Sequence, residues 1–527
     1  MKILALWLLN VALITCASAQ VSVTTSRNNN NRDGQNLNET ILTPQNVNGN
    51  SFGKLFSQSV DGYVYAQPLY VPNVTIPGLG THNVVYVATE HDSVYAFDAD
   101  SNTGMNASPL WQTSFINPAK GITPVSSGDV SCGDLVPEIG ITSTPVIDLN
   151  SQTMYLIAKT KENGSFFQRL HAIDITTGTE RPNSPVVIKA SVKGTGDGSQ
   201  NGVLKFDPLK EAQRPGLLLV NGTIYAAWAS HCDNGPYHGW LMSFDESSLK
   251  LRQVGNTTPN GGLGGVWQSG VGMASDGNYI FFATGNGTYD GPSGGRDFGD
   301  SVIKIPAAMN LPRPYDYFTP YDQLGFEDDD TDVGSGGVML LPDQTGPHKH
   351  LLVQVGKSGS IYLIDRDHMG FYNPRNNHQI VQDQEDAIGG LWAGPAWWNN
   401  NVYFGGSDDH LKQYTFNTST GLLSTSAFAS SPTFFGFPGP TPSISANGTS
   451  NAIVWAIQTD DYGNVGPATL HAYDATNVAT ELYNSNQNRS RDQAGGAVKF
   501  TVPTIANGKV YVPAVKELDV YGLLGQR

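Results

Sequence analysis

Ala66-Gln67-Pro68-Leu69-Tyr70, Val84-Val85-Tyr86-Val87 and Val94-Tyr95-Ala96-Phe97-Asp98 follow one another closely in the chain. They read as three strands: one entered through a proline, a β-branched second, and a third ending in aspartate. The set returns at Ser143-Thr144-Pro145-Val146, Met154-Tyr155-Leu156-Ile157 and Leu170-His171-Ala172-Ile173-Asp174. Third strands recur at 241–245, 361–365 and 470–474, and the last copy occupies 502–505, 510–512 and 518–521. The strand entries are Pro68, Pro145, Pro215, Gly270, Gly336, Pro395, Pro442 and Pro503, which makes eight. Four-stranded repeats at this spacing are the blades of a β-propeller. The fold expected is therefore all-β with eight blades; the count rests on these anchors, so seven is the alternative.

A fourth, outer strand repeats at Leu110-Trp111-Gln112-Thr113 and Leu482-Tyr483-Asn484-Ser485. The last copy ends after three strands, and a matching Leu55-Phe56-Ser57-Gln58 precedes the first inner strand. The N-terminal stretch is expected to supply the missing outer strand and so close the ring, which removes exposed edges. Residues 53–527 then form one propeller domain. Residues 20–52, rich in Asn, Ser and Thr, read as a flexible solvated leader.

Residues 1–19 read as a signal peptide, with Lys2, an apolar run from Ile3 to Thr15, and Ala17-Ser18-Ala19 before the cut. No later run is apolar for the roughly 20 residues that a membrane helix needs. The mature chain is expected to be secreted and extracellular. The net charge of −16 argues against nucleic acid and anionic membranes as partners. Asn-x-Ser/Thr sequons stand at Asn38, Asn73, Asn106, Asn163, Asn221, Asn256, Asn286, Asn417, Asn447 and Asn488, as expected of a glycoprotein. Cys16 leaves with the signal peptide; Cys132 and Cys232 remain, and an oxidising compartment makes one disulfide the simplest outcome. The chain has no Cys-x-x-Cys-His for covalent haem.

Loops between second and third strands gather on one face of a propeller with those entering the inner strands. Here they carry Glu90, His91 and Asp92; His231, Cys232, Asp233 and Asn234; Asn286; Lys357; Asp408, Asp409 and His410; and Asp460 and Asp461. Trp267 and Trp392 stand just ahead of inner strands. Carboxylates, imidazoles and an ammonium around a funnel suit a small-molecule site. The acidic run from Glu327 to Asp330 reads as a solvated loop.

Several of these stretches resemble the pyrroloquinoline quinone (PQQ) dependent alcohol dehydrogenases. Gly265-Val266-Trp267 with Phe282-Ala283-Thr284-Gly285-Asn286 resembles the family's cofactor-stacking Trp and calcium-ligating Asn. Asp330-Thr331-Asp332-Val333-Gly334-Ser335 is similar to the segment with the catalytic Asp, which implies Asp332 as general base on a substrate hydroxyl. Gly356-Lys357-Ser358-Gly359-Ser360 is similar to the segment whose cation polarises the quinone carbonyls, here Lys357. Ser131-Cys132-Gly133-Asp134 is similar to the family's adjacent-cysteine segment with Gly133 at the second cysteine, so Cys132–Cys232 becomes the implied replacement beside the cofactor. Residues 231–240 occupy the loop of a Glu calcium ligand, a place left to Asp233 or Asn234, and the family's arginine for the quinone carboxylates falls near Glu138. Trp392 joins the implied cofactor contacts. The resemblance thus implies a quinoprotein-like propeller binding PQQ and Ca²⁺, oxidising an alcohol or sugar hydroxyl and passing electrons to an external acceptor. Two further readings stand beside it: a non-redox propeller that binds carbohydrate or protein, and a polysaccharide lyase or hydrolase using Asp408, Asp409, His410, His91 and Glu90.

Overall fold

The computed structural model describes residues 20–308 and 315–525, so the signal-peptide expectation for 1–19 lies outside the described residues. Each sequence repeat becomes one antiparallel sheet. Blade 1 runs Leu69–Ile76, Gly80–Ala88, Ser93–Asp98 and Trp111–Ser114, each strand hydrogen-bonded to the next. The inner strands of the other blades are Val146–Asp148, Leu218–Val220, Ala274–Ser275, Met339–Leu340, Ala396–Trp398, Ser443–Asn447 and Thr504–Ala506. Every one of the eight anchors lies just before one of these inner strands, so the blade count is eight. In blade 8 the strand Lys509–Leu523 pairs with the inner strand through residues 509–511 and with Phe52–Tyr63 through residues 515–523. The early segment thus supplies the outer strand that the last repeat lacks.

Apolar side chains fill the spaces between neighbouring sheets. Between blades 2 and 3, Ile157 and Leu170 pack with Trp228, Trp240 and Phe206. Alternation along each strand sends one set of side chains to each neighbour, which is why the third strands read as nearly continuous apolar runs. Among the described residues no helix is long and apolar enough to cross a membrane.

The leader expectation fails for a physical reason. Eight inner strands converge on the axis and leave backbone groups without a strand partner there, and buried backbone groups need partners. The N-terminal segment supplies them blade by blade. Val23 bridges Tyr70 of blade 1, and the Thr24 carbonyl accepts from Ile147 N of blade 2 at 2.8 Å. Asn30 donates from its amide to the Leu219 carbonyl of blade 3 at 3.1 Å and accepts from Ser275 N of blade 4. The carbonyls of Asn31, Asp33 and Gly34 accept from Leu340, Trp397 and Ile444, in blades 5, 6 and 7. Gln35–Asn36 pairs in parallel with the inner strand of blade 7, and the Asn36 amide donates to Ile505 of blade 8. Arg27 and Arg32 are fully buried within this segment. Arg27 donates to the carbonyls of Pro442 (2.6 Å), Pro395 (2.7 Å) and Gly394 (3.3 Å); Arg32 donates to Met273 (2.8 Å) and Leu217 (3.4 Å). Further on, Leu42 and Val47 are buried with Trp455 between blades 7 and 8. The polarity that resembles a solvated leader in the sequence is what an axis lined with peptide groups requires.

Candidate functional site

Loops from six blades and the stretch between blades 1 and 2 enclose a cavity of about 320 Å³. Its lining includes Trp267, Asn286, Asp332, Lys357, Trp392, Cys232 and Asp233, which lie far apart in the sequence. Asn286 comes from the loop after Tyr279–Ala283 of blade 4, and Lys357 from the equivalent loop after Leu351–Val355 of blade 5. Trp267, Asp332 and Trp392 stand where the chain enters blades 4, 5 and 6.

Asp332 is the centre of the arrangement and is 4% exposed. Its Oδ1 accepts the Asn286 backbone N–H at 2.6 Å, and its Oδ2 lies 2.6 Å from Lys357 Nζ. Lys357 also donates to Asp330 Oδ1 (2.8 Å) and to the Asp330 carbonyl (2.9 Å), which uses all three ammonium hydrogens. Burial pushes the Asp332 carboxyl up to about 6, against the opposing pull of Lys357 and the Asn286 N–H. Burial disfavours charge on Lys357 too, but Asp332 and Asp330 outweigh it and the ammonium is held above its ordinary value. Gly285 is required here: a Cβ would come within 2.1 Å of Asp332 Oδ1 and 3.3 Å of Trp267 Nε1.

Trp267 is half-buried, with Lys357 Nζ 5.8 Å from its ring. The two residues after it, Gln268 (φ 43°) and Ser269 (φ 48°), are both in the left-handed region. Gln268 is held there by bonds from its amide to the Val271 and Gly272 carbonyls and to its Oε1 from Ala283 N. Successive non-glycine residues in this region are strained and persist only where surroundings fix them. The strain presents the indole to the cavity. Trp392 meets Phe437 edge to face at 5.1 Å, and Phe437 and Phe500 complete the aromatic wall.

Cys132 and Cys232 form a disulfide with Cα atoms 5.7 Å apart. Cys232 faces the cavity, while Cys132 is buried behind it. The bridge joins positions 100 residues apart. Removing it by Cys132→Ser with Cys232→Ser is expected to cost about 2–4 kcal/mol, read as a lowered midpoint in denaturant.

Not every expected residue takes part. Asn234 turns away and donates to the carbonyls of Val130 and Ser131 beside a separate cavity. Asp233 lines the site, but its Oδ1 accepts from Tyr237 (2.5 Å) and Ser230 (3.0 Å). Glu90 and Asp92 are fully buried instead of lining a funnel. Glu138 pairs with His91 at 2.9 Å and does not line the cavity. Of the sequon asparagines, Asn286 is 7% exposed and lines the cavity, whereas Asn38, Asn73, Asn163, Asn221, Asn417 and Asn447 are exposed.

The sequence reading missed Arg214, Lys499, Phe437, Phe500 and the part played by Asp330. A signal for one of them was present. Trp267, Trp392 and Phe500 each stand three residues before an inner-strand anchor, at Gly270, Pro395 and Pro503. Arg214 immediately precedes the anchor Pro215. Asp134 accepts from Arg214 Nη1 at 2.9 Å and pairs with Lys499, which joins blades 3 and 8 to the segment ahead of blade 2.

No family model and no curated relative matches the chain by sequence. Solved structures do match it by shape. The quinohemoprotein alcohol dehydrogenase ADHIIG from Pseudomonas putida HK5 superposes with a TM-score of 0.62 at 14% identity, over 96% of this chain and 81% of that one. The quinohemoprotein alcohol dehydrogenase from Comamonas testosteroni gives 0.58 at 12% identity, over 97% and 82%. Eight sheets in a ring and these two superpositions together give this chain the quinoprotein type of eight-bladed β-propeller fold.

Proposed function

We propose that the chain is a secreted quinoprotein-type oxidoreductase that oxidises an alcohol or sugar hydroxyl with PQQ. The observation that supports it best is the convergence of Trp267, Asp332 and Lys357 on one cavity beside Cys132–Cys232. The residues present fit a flat aromatic ring system: a half-buried indole for its face and aromatic walls from Trp392, Phe437 and Phe500. When bound, the quinone supplies the two-electron acceptor for hydride from the substrate carbon.

The donor set does not fit calcium as well. Calcium takes six to eight oxygens. Among the described residues no three acidic, His or Cys side chains gather as a metal site. Asp332 Oδ2 faces an ammonium, Asp233 Oδ1 is engaged by Tyr237 and Ser230, and Asn234 points elsewhere. Lys357 stands where a cation would serve Asp332.

Asp332 takes the hydroxyl proton of the substrate as the carbon gives up hydride. The Asn286 N–H and Lys357 fix the direction of its lone pairs. A carboxyl titrating near 6 is ionised at neutral pH and still basic enough to accept a proton. Only the ionised form works, so the rate is expected to rise as pH increases through about 6. A pH–rate profile checks this; a flat profile across that range contradicts the assignment. Trp267 and Trp392, which line the cavity, would hold the quinone's ring system, and the buried setting of Asp332 keeps bulk water from its oxygens.

The test is a titration of purified protein with PQQ, followed by absorbance and by reduction of an artificial dye with a panel of alcohols and sugars. Saturable binding with substrate-dependent dye reduction supports the reading, and absence of binding by folded protein ends it. Binding is expected to survive a calcium chelator; complete loss would restore a metal to the site.

A further inference from the structure

We infer that a groove on the outer wall of the ring, between blades 2 and 3, binds a free long-chain fatty carboxylate. The groove shares no lining residue with the cavity around Asp332, so its occupation does not depend on the proposed redox activity.

The groove has a volume of about 660 Å³, within the range of small-molecule sites. Blade 2 contributes Phe166 and Phe167 from its strand Ser165–Asp174 and Val187 from its outer strand Val186–Val187. Blade 3 contributes Leu251 and Val254 from its outer strand Leu251–Asn256. Phe206 follows the hairpin of Ser191–Lys193 with Val203–Lys205. It is buried edge-on against Trp228 and Trp240, at 5.3 and 5.9 Å between ring centres, and makes a fixed floor. Val187 and Leu251 are 36% and 40% exposed, so apolar surface lies open at the groove. Covering it with an apolar ligand is favourable in proportion to the area removed from water.

The polar groups select the occupant. Gln168 is fully buried and its amide is spent: Nε2 donates to the carbonyls of Pro208 (3.1 Å) and Glu211 (2.7 Å), and Oε1 accepts from Trp228 (2.7 Å). Ser191, Lys189 and Lys205 are the other polar side chains of the lining. A sugar or a peptide laid there would bury hydroxyl or amide groups that find few partners, which is costly. An acyl chain brings no such groups. Its head is set by charge. Lys161 and Arg169, over the rings of Phe166 and Phe167, are already paired with Asp129 and Glu162. Lys189 and Lys205 have no ion pair among the described residues. No carboxylate lines the groove, although acidic residues outnumber basic ones 46 to 30 in the chain; Asp207 lies next to Phe206, outside the lining, and accepts from Leu209 N. A lysine lays its stem along apolar surface and keeps its ammonium in water, which suits a carboxylate head at the rim and its chain in the groove. A recess between two blades takes a single chain and not the flat face of a bilayer.

The experiment is a calorimetric titration of the purified protein with octanoate, decanoate, dodecanoate, 1-decanol and decyltrimethylammonium, each below its micellar concentration. Affinity is expected to rise about fourfold for each added CH₂ of the carboxylates. Decanoate is expected to bind more tightly than decanol, and decyltrimethylammonium least. Lys189→Gln with Lys205→Gln is expected to weaken decanoate about fivefold and to leave decanol unchanged. Leu251→Asp puts a carboxylate into the groove and is expected to weaken decanoate about tenfold or more. Circular dichroism checks the fold of each variant. Absence of saturable dodecanoate binding by the folded protein overturns the inference, and so does equal affinity for decanoate and decyltrimethylammonium. Dodecanoate binding that ignores Leu251→Asp places the ligand elsewhere on the molecule. Two further probes test the other occupants. Co-sedimentation with phosphatidylglycerol vesicles without dodecanoate binding would make the face a membrane contact, and tighter binding of an alternating Glu-Leu peptide than of dodecanoate would give the groove to a protein partner.

Discussion

Asp332→Asn is expected to lower substrate-dependent dye reduction by about a thousandfold while leaving PQQ binding within a few-fold. The change keeps the size of the side chain, so Gly285 and Trp267 retain their places against it. An amide oxygen can still accept the Asn286 N–H, but the group can no longer take a proton. The loss therefore falls on the chemical step, and the pH dependence near 6 disappears with it. Removing a buried carboxylate also leaves Lys357 with only Asp330 as ionic partner, so a moderate loss of stability accompanies the kinetic effect. Steady-state rates together with a binding titration separate the two. Full activity in the variant would place the base elsewhere.

Arg27→Leu is expected to destabilise the ring by about 3–5 kcal/mol. Arg27 is fully buried and donates to three carbonyls from the entries of blades 6 and 7. Leucine fills part of the volume and leaves those oxygens without their charged donor in a site closed to water. The cost is the desolvation of each acceptor together with loss of charge-assisted bonds, which exceeds what the apolar side chain regains. Arg27→Lys is expected to recover part of the loss, because one ammonium reaches fewer of the three oxygens in the right direction. Denaturant unfolding compares the three proteins. An unchanged midpoint in Arg27→Leu would show that the axis segment adds nothing to stability.

The repeat made the blades legible because period-two strands and their Pro or Gly entries are local signals. Ring closure by residues 52–63 was legible because the final repeat visibly lacks a strand. The axis segment was not, because its partners are backbone groups scattered over eight blades, and hydrogen-bonding polarity looks the same in sequence whether water or peptide receives it. The motif positions pointed to Trp267, Asp332 and Lys357, and these three line one cavity. Its electrostatic edge did not follow, because Arg214, Lys499 and Asp134 are brought together only by closing the ring. Asn286 illustrates the converse, since a sequon records local sequence and not the burial of its asparagine.

The axis segment also sets an order of events. Asn36 and Ile505 are 469 residues apart in sequence, and Arg27 and Pro442 are 415 apart. On a ribosome the first of each pair emerges long before the second exists. The early segment must wait, unpaired, while the blades are made around it, and the last contact forms only when the eighth is complete. Contacts of such separation slow folding and lengthen the time that inner strand edges stay open to other chains. Truncating the chain into residues 23–36 should therefore harm yield and solubility more than it harms the activity of whatever fraction does fold.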